Sequence, residues 1–194
     1  HAAELLGEEK RHEDRMRLTR IIHDNTLRLE RLVADVLQLN RRDRMTVDRL
    51  RIGPWLDAFL GEFVASYDVP LERFAVENSR DLWVEFDRDH LRQVMWNLLT
   101  NAVRYARPEP RSVRIVLGAY ADRVELSVID DGPGVAPAIQ GQLFEPFFTT
   151  DSKGTGLGLY LAREFCDANH GVLEYVDDMP GAHFRIRMSK GRPQ

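Results

Sequence analysis

A run of alternating apolar residues that ends in an acid and two glycines constrains this chain more than any other feature. Val124-Glu125-Leu126-Ser127-Val128-Ile129 alternates as a strand, and Asp130-Asp131-Gly132-Pro133-Gly134 follows at once. The strand therefore delivers a carboxylate and two glycines to a turn. Glycine frees the backbone to take positive φ and lets a ligand approach closely. A carboxylate fixed at a strand end, beside bare backbone, suits the amine of a base and the phosphates behind it. Most Asp-Gly and Pro-Gly turns only connect strands, so the turn alone leaves both readings open.

The bulk numbers narrow the class. A chain of 194 residues, 43% apolar, is long enough for one good-sized domain or a smaller one with an appendage. A net charge of −4 gives no general attraction to nucleic acid or to an anionic membrane, so no nucleic-acid partner is expected. Cys166 is the only cysteine, which rules out a disulfide framework and a cysteine-rich metal site. No apolar run approaches the roughly 20 residues that span a bilayer. His1-Ala2-Ala3-Glu4-Leu5-Leu6 reads as the tail of a helix, which suggests a piece of a longer protein.

Two regions differ in character. Residues 1–44 have no proline and one glycine, and from about Asp14 to Arg42 they follow a helical pattern. Leu18, Ile22, Asn25, Leu29, Leu32, Val36 and Leu39 recur in alternating steps of four and three, a coiled-coil seam. Ile21, Val33 and Leu37 widen it toward a helix-bundle face. Gly7 to Glu13 is expected to turn the chain between the end of a first helix and this second one. Such an exposed stripe predicts homodimerisation through the N-terminal helices. Residues 45–194 read instead as α/β layers. Strands are expected at 45–52, 74–76, 82–86, 111–120, 123–129, 171–175 and 182–188, with helices from Pro54, over 88–105 and over 156–169. Asp87 is expected to cap the 88–105 helix, with His90 at the third position. The irregular stretch 135–154 is long enough to suggest function.

On the 88–105 helix, Asn97 and Asn101 stand four apart, one above the other. An exposed polar face would account for them. So would a ligand role, because an Asn101 carbonyl oxygen suits Mg²⁺, a hard ion that keeps phosphates in its shell. Arg104 could reach a phosphate and Tyr105 could stack on a purine. Gly154-Thr155-Gly156-Leu157-Gly158-Leu159 leads straight into a helix, where bare N–H groups and the helix dipole favour an anion. The glycines follow a loop rather than a first strand, and no Gly-Lys-Ser/Thr occurs, so neither a Rossmann nor a P-loop site fits.

Asn97…Asn101-Ala102…Arg104-Tyr105, then Asp130-x-Gly132-x-Gly134, then Leu143-Phe144-Glu145-Pro146-Phe147-Phe148, then Gly154-Thr155-Gly156-Leu157-Gly158-Leu159 occur in order. Together they resemble the N, G1, F and G2 boxes of sensor histidine kinases in the GHKL ATPase superfamily. The resemblance covers about residues 48–190, and Ile21 to Leu37 resembles the second helix of that family's dimerisation and phosphotransfer hairpin. It implies an α+β fold, a two-layer α/β sandwich of the Bergerat type over 45–194, preceded by the C-terminal part of a helical hairpin over 1–44. It implies ATP and Mg as cofactors and Asn101 as the metal ligand, with Asn97 beside the phosphates. Asp130 would accept a hydrogen bond from the adenine amine, while Gly132 and Gly134 let the loop pass close. Arg104 would touch phosphate and Tyr105 the adenine. Phe144, Phe147 and Phe148 would anchor a lid. Gly154, Thr155, Gly156, Leu157 and Gly158 would present backbone to the phosphates, with Lys153 adding charge. A response regulator would be the partner, and a membrane would be reached only through segments upstream.

One departure bears on the chemistry. The family phosphorylates a His in the first helix, followed by an acid and, shortly after, a proline. His23-Asp24-Asn25-Thr26 imitates its start, but it lies on the second helix and no proline follows. The phosphoacceptor is therefore expected upstream of residue 1, and this stretch is expected not to phosphorylate itself. Superfamily hydrolases place a general-base Glu where Asn97 stands, and a neutral amide cannot take that proton. The alternatives are a hydrolysing ATPase of the same fold and a non-catalytic dimerisation module.

Overall fold

The computed structural model describes residues 2–39, 45–77, 82–151 and 154–191. A long helix, α1 (Ala2–Leu39), precedes an alternating series of strands and helices. These are β1 (Val47–Arg51), α2 (Ile52–Tyr67), β2 (Phe74–Glu77), β3 (Trp83–Asp87), α3 (Arg88–Tyr105), β4 (Val113–Ala119) and β5 (Arg123–Asp130). A short α4 (Pro137–Gln140), α5 (Gly158–Ala168), β6 (Val172–Tyr175) and β7 (His183–Ser189) complete the chain. The boundary expected between residues 44 and 45 falls at residues outside those described.

The turn expected over Gly7–Glu13 is absent, because α1 runs unbroken through it. A lone glycine costs about 1 kcal/mol in a helix interior. Without a proline nearby, that is too little to stop a run of helix-tolerant charged residues.

Five strands form one sheet in the order β2-β4-β5-β7-β6, and β1 pairs with β3 in a separate two-stranded ribbon. β2 and β4 run parallel, whereas the other pairs in the large sheet are antiparallel. Period-two alternation sorts the faces. Val124, Leu126 and Val128 of β5 and Phe184, Ile186 and Met188 of β7 enter the core with α2, α3 and α5. Glu125, Ser127, Arg185 and Arg187 lie on the opposite face. There Arg187 Nη2 meets Glu174 Oε2 at 2.9 Å and Arg123 Nε meets Glu125 Oε1 at 2.9 Å. Ion pairs that solvent reaches add little, so the helix-covered face carries most of the stability.

α3 places the site. Leu91, Val94, Met95, Leu98 and Leu99 have no exposed surface, and each such side chain contributes about 1.5–3 kcal/mol on burial. Asp87 caps the helix as its sequence predicts, accepting from the N–H groups of Asp89 and His90 at 2.9 Å each. The helix ends at Tyr105, shortly before Arg107-Pro108, where the residue preceding a proline leaves the α region. With the buried stripe and cap fixed, Asn97 and Asn101 must face away from the core.

Along α1 the seam residues Leu18, Ile22, Leu29 and Val36 are 48–66% exposed, while Leu32 packs against the core of the following layers. Asn25 Nδ2 donates to its own helix at Ile21 O, 2.8 Å away. Among the described residues, no helix is long and apolar enough to cross a membrane.

Candidate functional site

A cavity of about 610 Å³ opens between α3, the turn after β5, the loop 135–157 and the start of α5, and α1 adds Arg31 and Asp35 to its wall. It gathers Asn97, Asn101, Arg104, Tyr105, Asp130, Gly134, Phe148, Gly154, Thr155, Gly156 and Gly158 of the sequence-predicted set. Gly132, Phe144, Phe147 and Leu157 do not line it, and Lys153 lies outside the described residues.

At one end Asp130 is 5% exposed, and its Oδ1 accepts from Gly132 N at 2.9 Å and Ala182 N at 3.1 Å. Both recorded bonds fall on Oδ1, which leaves Oδ2 for a ligand. Burial pushes the Asp130 carboxyl above its ordinary range; the two N–H donors oppose that rise and nearby Asp131 adds to it. Asp131 itself turns to Arg107, accepting from its backbone N at 2.9 Å and its Nε at 3.0 Å. Gly132 does not line the cavity but permits its shape. A Cβ there would stand 2.6 Å from Tyr105 O at the end of α3.

On α3, Asn97 Nδ2 donates to Gly158 O at 2.9 Å and so ties the helix to the first residue of α5. Asn101 lines the cavity, and its side chain makes no hydrogen bond among the described residues. One turn from it, Arg104 Nη1 meets Asp151 Oδ2 of the loop at 2.6 Å. Tyr105 stands 44% exposed at the rim. No group of three or more His, Cys, Asp or Glu among the described residues could hold a metal. The Asn101 side chain on this wall is of a type that could offer an oxygen to a hard cation.

The loop closes the other end. Gly156 has φ +73°, and a Cβ on it would lie 2.4 Å from the Phe147 carbonyl carbon. Phe147 also takes positive φ, +66°, and is 65% exposed. Phe144 packs edge-on against Phe184, with centroids 6.3 Å apart, and Arg163 lies over its ring. Leu157 is 1% exposed in the core. Phe144 and Leu157 thus anchor the loop from beneath, and Phe148 faces the cavity. Thr155 Oγ1 accepts from Leu157 N at 3.3 Å and donates to Asp35 Oδ2 at 2.8 Å. Burial raises the Asp35 carboxyl, while the Thr155 bond and Arg31 lower it.

Arg31, Asp35, Gln93, Trp96 and Tyr67 also line the cavity, and the sequence reading missed them. Gln93 and Trp96 had a signal, since they share a helix flank with Asn97. Asp35 had none: its approach to Thr155 depends on how α1 packs.

The family profile of histidine kinase-, DNA gyrase B- and HSP90-like ATPases matches residues 86–192, and the chain belongs to that family. Within it, sensor protein kinase PilS is among the similar relatives. The chain is 38% identical to PilS of Pseudomonas aeruginosa over 99% of its own length and 37% of that protein. Among solved structures, full-length ShkA in complex with AMPPNP aligns with a TM-score of 0.68 at 26% identity, covering 85% of this chain and 37% of that one. Acinetobacter baumannii histidine kinase AdeS aligns at 0.66 and 24% identity over 84% of this chain and 79% of its own, a likeness of fold alone. The α+β layers expected from the sequence are thus those of histidine kinase ATP-binding domains. These relatives are sensor kinases, and ATP binding accords with the fold.

Proposed function

We propose that this chain is the Mg-ATP-binding part of a two-component sensor histidine kinase, with residues 45–194 as the nucleotide domain and 1–44 as part of the dimerisation hairpin. The observation that carries the reading is one cavity lined both by a buried carboxylate, Asp130, and by Asn101 of α3, whose amide makes no hydrogen bond among the described residues. Asp130 Oδ2 accepts from the adenine amine, and Tyr105 covers the ring. Asn101 offers its oxygen to Mg²⁺, which when bound neutralises charge on the phosphates. The backbone of Gly154–Gly158 and the start of α5 face the phosphates, and Arg104 exchanges Asp151 for phosphate. Phosphoryl transfer asks the protein mainly for positioning and electrostatic stabilisation, and these residues supply both.

In the intact protein the γ-phosphoryl passes to a His upstream of residue 1, and then to an Asp of a response regulator. The α1 seam pairs two copies, and a membrane is reached through segments outside this sequence. Asn97 argues against the hydrolase alternative. It is neutral, and its amide is engaged with Gly158. With γ-labelled ATP, this chain should take up no label, while a longer form carrying the upstream His should be labelled there. Label on His23 would overturn the assignment.

A further inference from the structure

Outside the cavity, the sheet face away from the helices buries a cluster the proposed reaction does not use. His183 is 4% exposed, with Nδ1 2.8 Å from Asp178 Oδ1 and Nε2 3.0 Å from Ser127 Oγ. A carboxylate only accepts, so Nδ1 carries a proton toward Asp178. The order Ser-His-Asp invites a nucleophile reading, but the setting refuses it. Ser127 is 8% exposed in the middle of β5, whose ladders engage its backbone with β4 and β7. With β5 paired on both sides, its own N–H groups are committed to the ladders rather than to an oxyanion.

The cluster instead holds a turn. Residues 176–182 join β6 to β7, and Val176 N donates to His183 O at 2.8 Å. Gln140 Nε2 reaches Asp177 Oδ2 and Val135 O at 3.1 Å each, tying the turn to the start of the lid loop. Gly181, at φ +91°, lies so close to Asp130 that a Cβ would stand 1.9 Å from Asp130 O. The next residue, Ala182, accepts from Asp130 N through its carbonyl oxygen at 3.0 Å and donates its own N–H to Asp130 Oδ1 at 3.1 Å. The turn is therefore the floor on which the base-reading carboxylate rests.

We propose that His183 and Asp178 are positioning residues for the adenine end of the site. Their bond pins the turn, the Ala182 N–H fixes Oδ1 of Asp130, and Oδ2 is thereby aimed at the base. Arg185 Nη2, 3.9 Å from Asp178 Oδ2, supports the same anchor. The proposal rests on the nucleotide reading given above.

Its test compares Mg-ATP with Mg-ITP, whose base carries a carbonyl in place of the amine, on the parent, Asp178→Ala, His183→Ala and His183→Gln. Asp178 is on an exposed turn, so its variant keeps the fold even if His183→Ala does not. The parent should prefer ATP. Asp178→Ala and His183→Ala should weaken ATP about fivefold and leave ITP unchanged, so selectivity narrows. His183→Gln, whose amide N–H can still donate to Asp178, should recover most of the loss. Unchanged ATP affinity, or equal weakening of both nucleotides, would overturn this proposal alone. A parent that binds neither nucleotide would remove the site reading and this proposal together.

Discussion

Asp130 carries two opposed demands. The site needs an acceptor aimed at the base, yet burial without ligand disfavours its charge. Its folded-state pKa is raised above the ordinary 3.8, so the folded protein holds this proton more tightly than the unfolded chain. Asp130's contribution to stability is therefore fully present below about 3.8 and is lost as pH rises through the raised value. An Asp130→Asn substitution keeps an oxygen for Gly132 N and Ala182 N and removes that loss. Unfolding at a series of pH values should show the variant gaining on the parent as pH climbs from about 4, while its ATP affinity falls about tenfold or more. A variant that loses stability at neutral pH would contradict the assigned cause. At this scale the strand end at Asp130 and the glycine turn after it were legible because they are local, although what the glycines pass, Tyr105 for Gly132 and Gly181 for Gly134, was not. Asp35 was not, because nothing near it in sequence says that its carboxylate meets Thr155, 120 residues on.

Among the elements, α3 and the loop 135–157 divide the work. α3 was readable almost to the residue, since an apolar stripe, an aspartate cap and a proline stop all agree. The loop was readable only as long and glycine-rich. Its folded form depends on one crossing, where Gly156 passes over Phe147. Gly156→Ala would need positive φ and would press a methyl into that backbone. Strain of this kind costs about 1–3 kcal/mol. It should lower Mg-ATP affinity roughly tenfold, and the same strain, next to the buried Leu157, should lower the melting temperature by a few degrees. A calorimetric scan and a titration on the same sample would check both halves. The long helix taught the opposite lesson. Gly7 reads as a turn by composition, yet one glycine in a charged run without proline does not outweigh the hydrogen bonds of a continuing helix.

For the whole molecule, the cavity is lined by residues of one chain, whereas the seam of α1 is not covered by that chain. Leu18, Ile22 and Leu29 each expose more than half their surface. The two properties should separate. Charging the seam with Leu18→Glu and Ile22→Glu should convert a dimer into a monomer by sedimentation equilibrium. It should change Mg-ATP affinity by less than about twofold, since both lie roughly two or more helical turns along α1 from Arg31 on the cavity wall. Affinity lost along with the dimer would mean that the site is shared between copies.

The central claim is that the cavity binds Mg-ATP through Asp130 and Asn101, and calorimetric titration of the chain beside its Asn101→Ala variant tests it most directly. The account predicts saturable binding of one nucleotide per chain in the parent, dependent on Mg²⁺, and its loss in a variant with an unchanged circular-dichroism spectrum. No saturable binding by the parent, or equal affinity in both, would contradict it.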